Sequence, residues 1–298
     1  MKVRVIVNKG GGTSKGDEEE AARIAAAFDA HDVAADVRLT DPQDLTDAFR
    51  DAAAAPGLDA VVAGGGDGTI SCAAGKLAGT DRPLGLLPLG TLNHLARDVG
   101  ITGTIEDAVA VIAAGNSKAI DVAEVNGQVF VNNSSVGLYP DMVRLREAQQ
   151  ERIGRGKRLA MLSASFASLR HFRRHRLWLS APGLETPVRT PLLFVGNNRY
   201  QVNLFSLGRR ERLDEGELCV YAIRARSRAH LFWAGIRGVF GKLDQQRDFV
   251  TAYVDALEIA ADRPLLNVSA DGEAYVMETP LRYRIRPKAL KLIVPPAP

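Results

Sequence analysis

Hydrophobic positions along this chain follow two rhythms. In the first third, short apolar runs such as Val3-Arg4-Val5-Ile6-Val7, Val61-Val62-Ala63 and Leu84-Gly85-Leu86-Leu87 are separated by longer, helix-patterned stretches. Runs of that length rich in β-branched residues suit buried strands, and their alternation with helices implies a parallel sheet with helices on both faces. The pattern predicts strands at 2–8, 33–39, 59–63 and 84–87. It places helices from Asp17 through Phe28 and at 43–55, 69–78, 91–98 and 104–114. Glu18, Glu19 and Glu20 sit at the start of the first helix, where acids complement the positive end.

After Gly115 the texture changes to short β segments between turn residues. Ala119 to Val125 and Gln128 to Val136 flank Asn126-Gly127, the strongest short hairpin signal. Arg176 to Ser180, Leu192 to Gly196, Leu218 to Ile223, Tyr253 to Ile259, Leu266 to Ala270 and Arg282 to Ile285 follow in the same style. The expected fold is therefore an α/β domain with a parallel sheet, residues 1–115, followed by a mainly antiparallel β-sandwich, residues 116–298. The active site is expected in the crevice between them. The last segment, Ala289 to Val294, suits either domain, so a return of 286–298 to the first domain stays open.

Residues 139–175 interrupt the β pattern as a helical insertion. Arg152, Arg155, Lys157, Arg158, Arg170, Arg173, Arg174 and Arg176 flank the apolar and small run Leu159 to Phe166. A basic amphipathic helix can lie on an anionic membrane surface, each cation adding about 1 kcal/mol; a solvated helix face is the competing explanation.

Composition narrows the class. The chain of 298 residues is long enough for two cores, and 46% hydrophobic with 24% charged residues is an ordinary soluble balance. A formal net charge of +3 gives no polycationic argument for nucleic acid. Cys72 and Cys219 match no metal or redox spacing and fit a reduced cytoplasmic setting. The N-terminal segment alternates too much for a signal peptide, and no apolar run approaches a membrane span. A lipid substrate would have to be met at a membrane visited from solution.

Candidate chemistry centres on Gly64-Gly65-Gly66-Asp67-Gly68-Thr69, placed between an apolar strand and a helix. Glycines let backbone N–H groups approach a ligand, and a helix N-terminus adds partial positive charge, so the segment can cradle a phosphate. A carboxylate at Asp67 would repel that phosphate unless a cation lay between them, which makes Asp67 a candidate for ordering Mg²⁺. A plain glycine-rich turn is the competing explanation. Further on, Pro88-Leu89-Gly90-Thr91-Leu92-Asn93 repeats the strand, turn and helix grammar. Two polar loops would then share the carboxyl ends of adjacent strands, where open α/β sheets bind ligands. Lys9 to Gly16 lacks the Gly-Lys-Ser/Thr ending of a Walker motif. Ala270-Asp271-Gly272-Glu273 reads on its own as a hairpin turn with solvent-facing acids.

The pair of motifs, Gly65-Gly66-Asp67-Gly68-Thr69 followed by Pro88 to Asn93, resembles the diacylglycerol kinase catalytic domain shared with sphingosine, ceramide and bacterial lipid kinases. The resemblance covers most of the chain and implies an ATP- and Mg²⁺-dependent transfer of phosphate to a lipid hydroxyl. It assigns nucleotide contact to Asn8, Thr40, Gly64, Gly65, Gly66, Asp67, Gly68, Thr69, Gly90, Thr91 and Asn93, with capping of the next helix, starting at Asp41-Pro42, as the competing role for Thr40. It gives Glu273 the role of general base within the catalytic segment that includes Asp271, with Asp67 and Asp121 in the network of the catalytic Mg²⁺. A separate structural cation would take the carbonyls of Arg212 and Glu217 and the carboxylate of Glu215, against a plain β-turn as the alternative. The implied partners are a lipid and a peripheral membrane surface, with no nucleic acid and a homodimer left open. The apolar segment Leu231 to Phe240 is read as a wall for the lipid tail or as an ordinary core helix. The sequence departs from the family at Lys9, where proline is usual, at His94, where an acid is common, and at Glu215, where aspartate is more frequent. An NAD kinase relative and a non-catalytic nucleotide-binding regulator are the alternatives. His94, His171 and His175 receive no catalytic or metal role.

Overall fold

Val3, Val5, Ile6 and Val7 are fully buried in strand β1 (Lys2–Asn8), and the same apolar logic repeats through the first part of the chain. The structure, a computed structural model, describes residues 1–10, 17–137, 175–182, 184–200, 210–223 and 249–296. It divides into two compact units. One comprises Met1–Val122, Val129–Val131 and Arg286–Pro298, the other Ala123–Gln128 and Asn132–Ile285.

In the first unit β1 is followed by α1 (Glu18–Asp29), β2 (Ala34–Thr40), a single 3₁₀ turn at Pro42–Asp44, and α2 (Leu45–Ala54). Next come β3 (Ala60–Gly65), α3 (Asp67–Leu77), β4 (Leu84–Pro88), α4 (His94–Asp98) and α5 (Ile105–Ala114). The strands run parallel in the order β2-β1-β3-β4. Every residue of β3 is buried, as a central strand covered on both faces requires. Helix starts are specified locally. The Asp17 side chain accepts the Glu20 N–H at 3.0 Å ahead of α1. Thr104 and Asp107 form a reciprocal capping box ahead of α5, which ends at Gly115 with φ +69°.

Strand β5 (Ser117–Val125) leads through Asn126-Gly127 into β6 (Gln128–Phe130). The turn residues have φ of +47° and +85°, the left-handed pair that a two-residue hairpin needs.

The second unit is a β-sandwich built from β7 (Asn133–Gly137), β8 (His175–Ala181), β9 (Leu184–Thr190), β10 (Leu192–Asn197) and β11 (Leu218–Ile223). β12 (Phe249–Val254), β13 (Ala256–Ala261), β14 (Leu265–Ala270), β15 (Glu273–Glu278) and β16 (Leu281–Ile293) complete it. One sheet has the order β12-β11-β10-β7-β14-β15, antiparallel throughout. The other joins the first residues of β16 to β13, β8 and β9, again antiparallel. A buried contact of 3.0 Å between the Tyr283 hydroxyl and the Ser134 hydroxyl links the two sheets. The later residues of β16 belong to the first unit, where Leu292 pairs in parallel with Leu84 of β4.

Five local expectations are corrected. The stretch from Gln128 to Val136, read as one arm of the hairpin, is two strands, β6 and β7, in different sheets. The stretch read as one strand at 253–259 is two, β12 and β13, in different sheets, because the chain bends at Asp255 while its alternation continues. Strand β9 had no counterpart in the sequence reading; it contains Pro187 and lies at a sheet end, where a missing N–H is tolerated. Gly64 and Gly65 belong to β3, so the expected loop shrinks to Gly66. The helix expected from 91 begins at His94, because Asn93 takes φ +49°. The helical insertion, apart from His175 and Arg176 in β8, lies outside the described residues, as do His171, residues 11–16 and the apolar segment 231–240.

Candidate functional site

Register sets the site. Asn8 lies opposite Thr40, Val7 opposite Gly64, and Gly65 opposite Pro88. The carboxyl ends of β2, β1, β3 and β4 therefore come to one edge, carrying Thr40, Asn8, Gly65 and Pro88.

Two turns meet there backbone to backbone. A Cβ on Gly90 would lie 2.5 Å from the Cα of Gly66, and a Cβ on Gly65 would lie 2.5 Å from the Thr69 hydroxyl. These glycines are demanded by their neighbours in the fold. Gly66 differs: a Cβ there would meet only the Gly90 Cα, at 3.5 Å. The Asp67 Oδ1 accepts the His94 N–H at 2.7 Å, tying the first turn of α3 to the first turn of α4. Asn93 builds the second turn, its side chain accepting the Gly90 N–H at 3.0 Å and donating to the carbonyls of Pro88 at 3.1 Å and Gly90 at 2.8 Å. Thr91 and Leu92 are exposed at its tip. From β1, the Asn8 Nδ2 donates to the buried Thr69 hydroxyl at 2.9 Å, while Asn8 Oδ1 accepts the Gly10 N–H at 3.0 Å. Lys9 donates its N–H to the Thr40 carbonyl at 3.0 Å.

This arrangement fits a phosphate with a cation. The first helical bond of α3 is Ile70 N–H to Gly66 C=O, so the N–H groups of Asp67, Gly68 and Thr69 lie in the turn that has no intrahelical acceptors. Asp67 commits Oδ1 to His94, and a carboxylate carries a second oxygen able to hold a hard cation. A cavity of about 310 Å³ lies beside β4, bounded by Glu20, Arg23, Pro88, Leu89, Gly103 and Thr104. On its rim Arg23 binds Glu106 through two bonds of 2.8 and 2.9 Å, and this guanidinium holds the Glu106 carboxyl down at about 2.

Asp121 sits elsewhere in the first unit. It is fully buried in β5, and its Oδ1 accepts the N–H of Lys288 at 2.7 Å. That bond makes it a tie to the main chain where β16 adopts φ +51°.

In the second unit, Asp271 and Gly272 form the turn between β14 and β15 with φ of +48° and +87°. Asp271 is buried, and its Oδ1 accepts the N–H groups of Asn132 at 2.8 Å and Asn133 at 3.0 Å. Glu273 is exposed and accepts the Tyr275 hydroxyl at 2.7 Å. The two acids thus differ in kind: one is consumed by the fold, the other is presented.

The 212–217 turn is rich in oxygen and already answered by arginines. Asp214 pairs with Arg212 at 3.1 Å, Glu217 pairs with Arg199, and the Glu215 Oε2 accepts the Arg199 N–H at 3.0 Å. No group of three or more His, Cys, Asp or Glu side chains converges as a metal site among the described residues. A cation at this turn would rely on the Arg212 and Glu217 carbonyls with the remaining Glu215 oxygen, a donor set of the hard type.

Sequence reasoning did not single out Asn132, Asn197, Asn198 and Arg210, which form a buried polar cluster behind the Asp271 turn. The doublets Asn132-Asn133 and Asn197-Asn198 at strand ends are the signal that could have found them, since paired amides in β surroundings need internal partners.

Residues 2–125 match the family model of the diacylglycerol kinase catalytic domain. Residues 139–294 match that of the YegS C-terminal NAD kinase beta sandwich-like domain. "Probable lipid kinase YegS-like" of Pseudomonas fluorescens strain Pf-5 is 31% identical over 284 residues, 92% of this chain and 88% of that protein. "Probable lipid kinase YegS" of Escherichia coli O6:K15:H31 is 43% identical over 105 residues, 34% of this chain and 35% of that protein. Among solved structures, a diacylglycerol kinase from Bacillus anthracis str. Sterne shares the fold with a TM-score of 0.70 at 20% identity, over 99% of this chain and 97% of that one.

Proposed function

We propose that this chain, which belongs to the diacylglycerol kinase catalytic-domain family and to its YegS-like lipid kinases, transfers the γ-phosphate of ATP to a hydroxyl of diacylglycerol or a related lipid. The observation that carries the reading is the joint between Gly66 and Gly90, locked by Asp67 and Asn93 at the carboxyl edge of a parallel sheet.

Phosphoryl transfer is mostly positioning and charge stabilisation. The N–H groups of the first α3 turn donate to phosphate oxygens, and Asn8 keeps that turn in place through Thr69. Thr40 and the turn built by Asn93 complete the nucleotide contacts. Asp67 would hold Mg²⁺ with the carboxylate oxygen it does not give to His94. Mg²⁺, when bound, neutralises charge on the phosphate oxygens. Glu273 accepts the proton of the attacking lipid hydroxyl, its carboxylate steadied by the Tyr275 hydroxyl. Arg212, Glu215 and Glu217 would hold a second, structural cation. No helix among the described residues is long and apolar enough to cross a membrane, and the lipid is met at the membrane surface.

The test is incubation of the protein with γ-labelled ATP, Mg²⁺ and a total lipid extract, and in parallel with NAD. Label is expected in an extracted lipid. Label in a phosphorylated NAD would favour the NAD kinase reading, and ATP binding without any transfer would favour a regulator. Glu273→Gln keeps the shape and removes proton acceptance, so turnover should fall by about 10² to 10⁴ with ATP binding nearly intact. Undiminished turnover would remove Glu273 from the mechanism.

A further inference from the structure

A buried guanidinium lies behind the turn that carries Glu273. Arg210 is 3% exposed, and arginine is seldom buried unless its donors are matched. Its Nη2 donates to the Asn132 Oδ1 at 2.9 Å, its Nη1 to the Asn197 carbonyl at 3.2 Å, and its Cζ lies over the Tyr200 ring, 5.3 Å from the centroid.

The bonds continue in both directions. Toward β14, the N–H groups of Asn132 and Asn133 converge on Asp271 Oδ1, and the Asp271 N–H returns to the Asn133 carbonyl at 2.8 Å. These bonds fix a residue at φ +48° immediately before Gly272 and Glu273. Toward the 212–217 turn, the Asn197 N–H binds the Asn132 carbonyl at 2.9 Å. Asn198 then accepts the Glu215 N–H on its side chain at 3.0 Å and donates its own N–H to the Glu217 carbonyl at 3.0 Å. Glu215 in turn takes the Arg199 N–H. Arg210 is the buried cationic side chain that joins the two asparagine doublets.

We propose that Arg210 is a positioning residue for phosphoryl transfer: through Asn132 and Asp271 it holds the 271–273 turn and so aims the Glu273 carboxylate. The inference rests on the reading of Glu273 as proton acceptor. It reassigns Asp271 from chemistry to support. A network that only held the sandwich together would affect folding and leave turnover per folded molecule unchanged. A network that aims the carboxylate acts on kcat, because a displacement near 1 Å at a reacting group costs about 10²-fold.

The experiment measures transfer from ATP to extracted lipid by the full chain, corrected for folded fraction, in Arg210→Met, Asp271→Ala, their double variant and Arg210→Lys. Each single substitution to Met or Ala should lower kcat by about ten- to a hundredfold with KM for ATP changed less than about twofold. The double variant should be no worse than the worse single, because both break one line of bonds. Arg210→Lys, which keeps the charge and one donor direction, should recover part of the loss. Unchanged kcat per folded molecule in Arg210→Met, or losses that multiply in the double variant, would overturn the inference. Should Arg210→Met fail to fold, Asn132→Ala takes its place in the cycle under the same criterion. Glu273→Gln separates the two levels. If it turns over normally, the reading of Glu273 fails and takes this inference with it; if it is inactive while Arg210→Met is undiminished, only the role of Arg210 fails.

Discussion

Gly66 and Gly90 have the same side chain and opposite tolerances. At Gly90 an added methyl meets the Gly66 Cα at 2.5 Å, a backbone atom that can yield only if the two turns separate. At Gly66, with φ −89°, the same methyl meets Gly90 at 3.5 Å, an ordinary contact. Gly90→Ala should therefore lower stability by roughly 1–3 kcal/mol, the usual range for overpacking, and lose nucleotide binding with it. Gly66→Ala should leave the thermal midpoint near wild type, because its methyl meets the Gly90 Cα only at an ordinary contact distance, and any loss should show in ATP binding alone. Calorimetric melting and ATP titration of both variants check the contrast. The glycines were legible in the sequence as a motif, and the reason for each was not. Sequence reading credited them to ligand approach, whereas Gly65 answers to Thr69 and Gly90 to Gly66, across the turn and across the sheet respectively. Asp271 shows the same limit: its partners, the N–H groups of Asn132 and Asn133, are remote in sequence.

Elements that carry their own punctuation were readable, and those defined by a neighbour were not. Helix α5 announces itself through Thr104 and Asp107 at the start and Gly115 at the end. Thr104→Ala removes one half of the capping box, and a loss of about 0.5–2 kcal/mol is expected in denaturant unfolding, with transfer activity retained. A loss below that range would mean the N-terminal turn of α5 is held by packing against α1. Strand β9 is the opposite case. Its sequence contains Pro187, and it is a strand because β8 offers it a complete antiparallel register from His175↔Thr190 to Ala181↔Leu184. The bend at Asp255 is equally non-local, since the Asp255 carbonyl is taken by the N–H of Ile285. Alternation tells which residues face a core; it does not tell which sheet supplies that core.

At the scale of the whole molecule, the change from α/β to β texture was legible because it shows in composition and spacing. The membership of the tail was not, because a pattern such as Ala289 to Val294 fits any half-buried strand. Its pairing with β4 is parallel and joins residues as far apart as Leu84 and Leu292, which local propensity cannot see. Leu290, Leu292 and Ile293 are buried there. At about 1.5–3 kcal/mol per buried aliphatic side chain their loss approaches the full stability of a typical domain. Deletion of residues 288–298 should therefore leave the first unit unfolded or insoluble, seen as loss of its cooperative transition. A chain that kept wild-type melting after that deletion would show that the tail is an accessory.

The split allegiance of β16 also dictates how recombinants of this protein must be cut. A graft of the first unit onto a relative's sandwich has to carry three pieces from one parent: the amino-terminal stretch, the short segment Val129–Val131 and the last dozen or so residues. A single crossover between those pieces would hand each hybrid a closing strand chosen for the other parent's first unit.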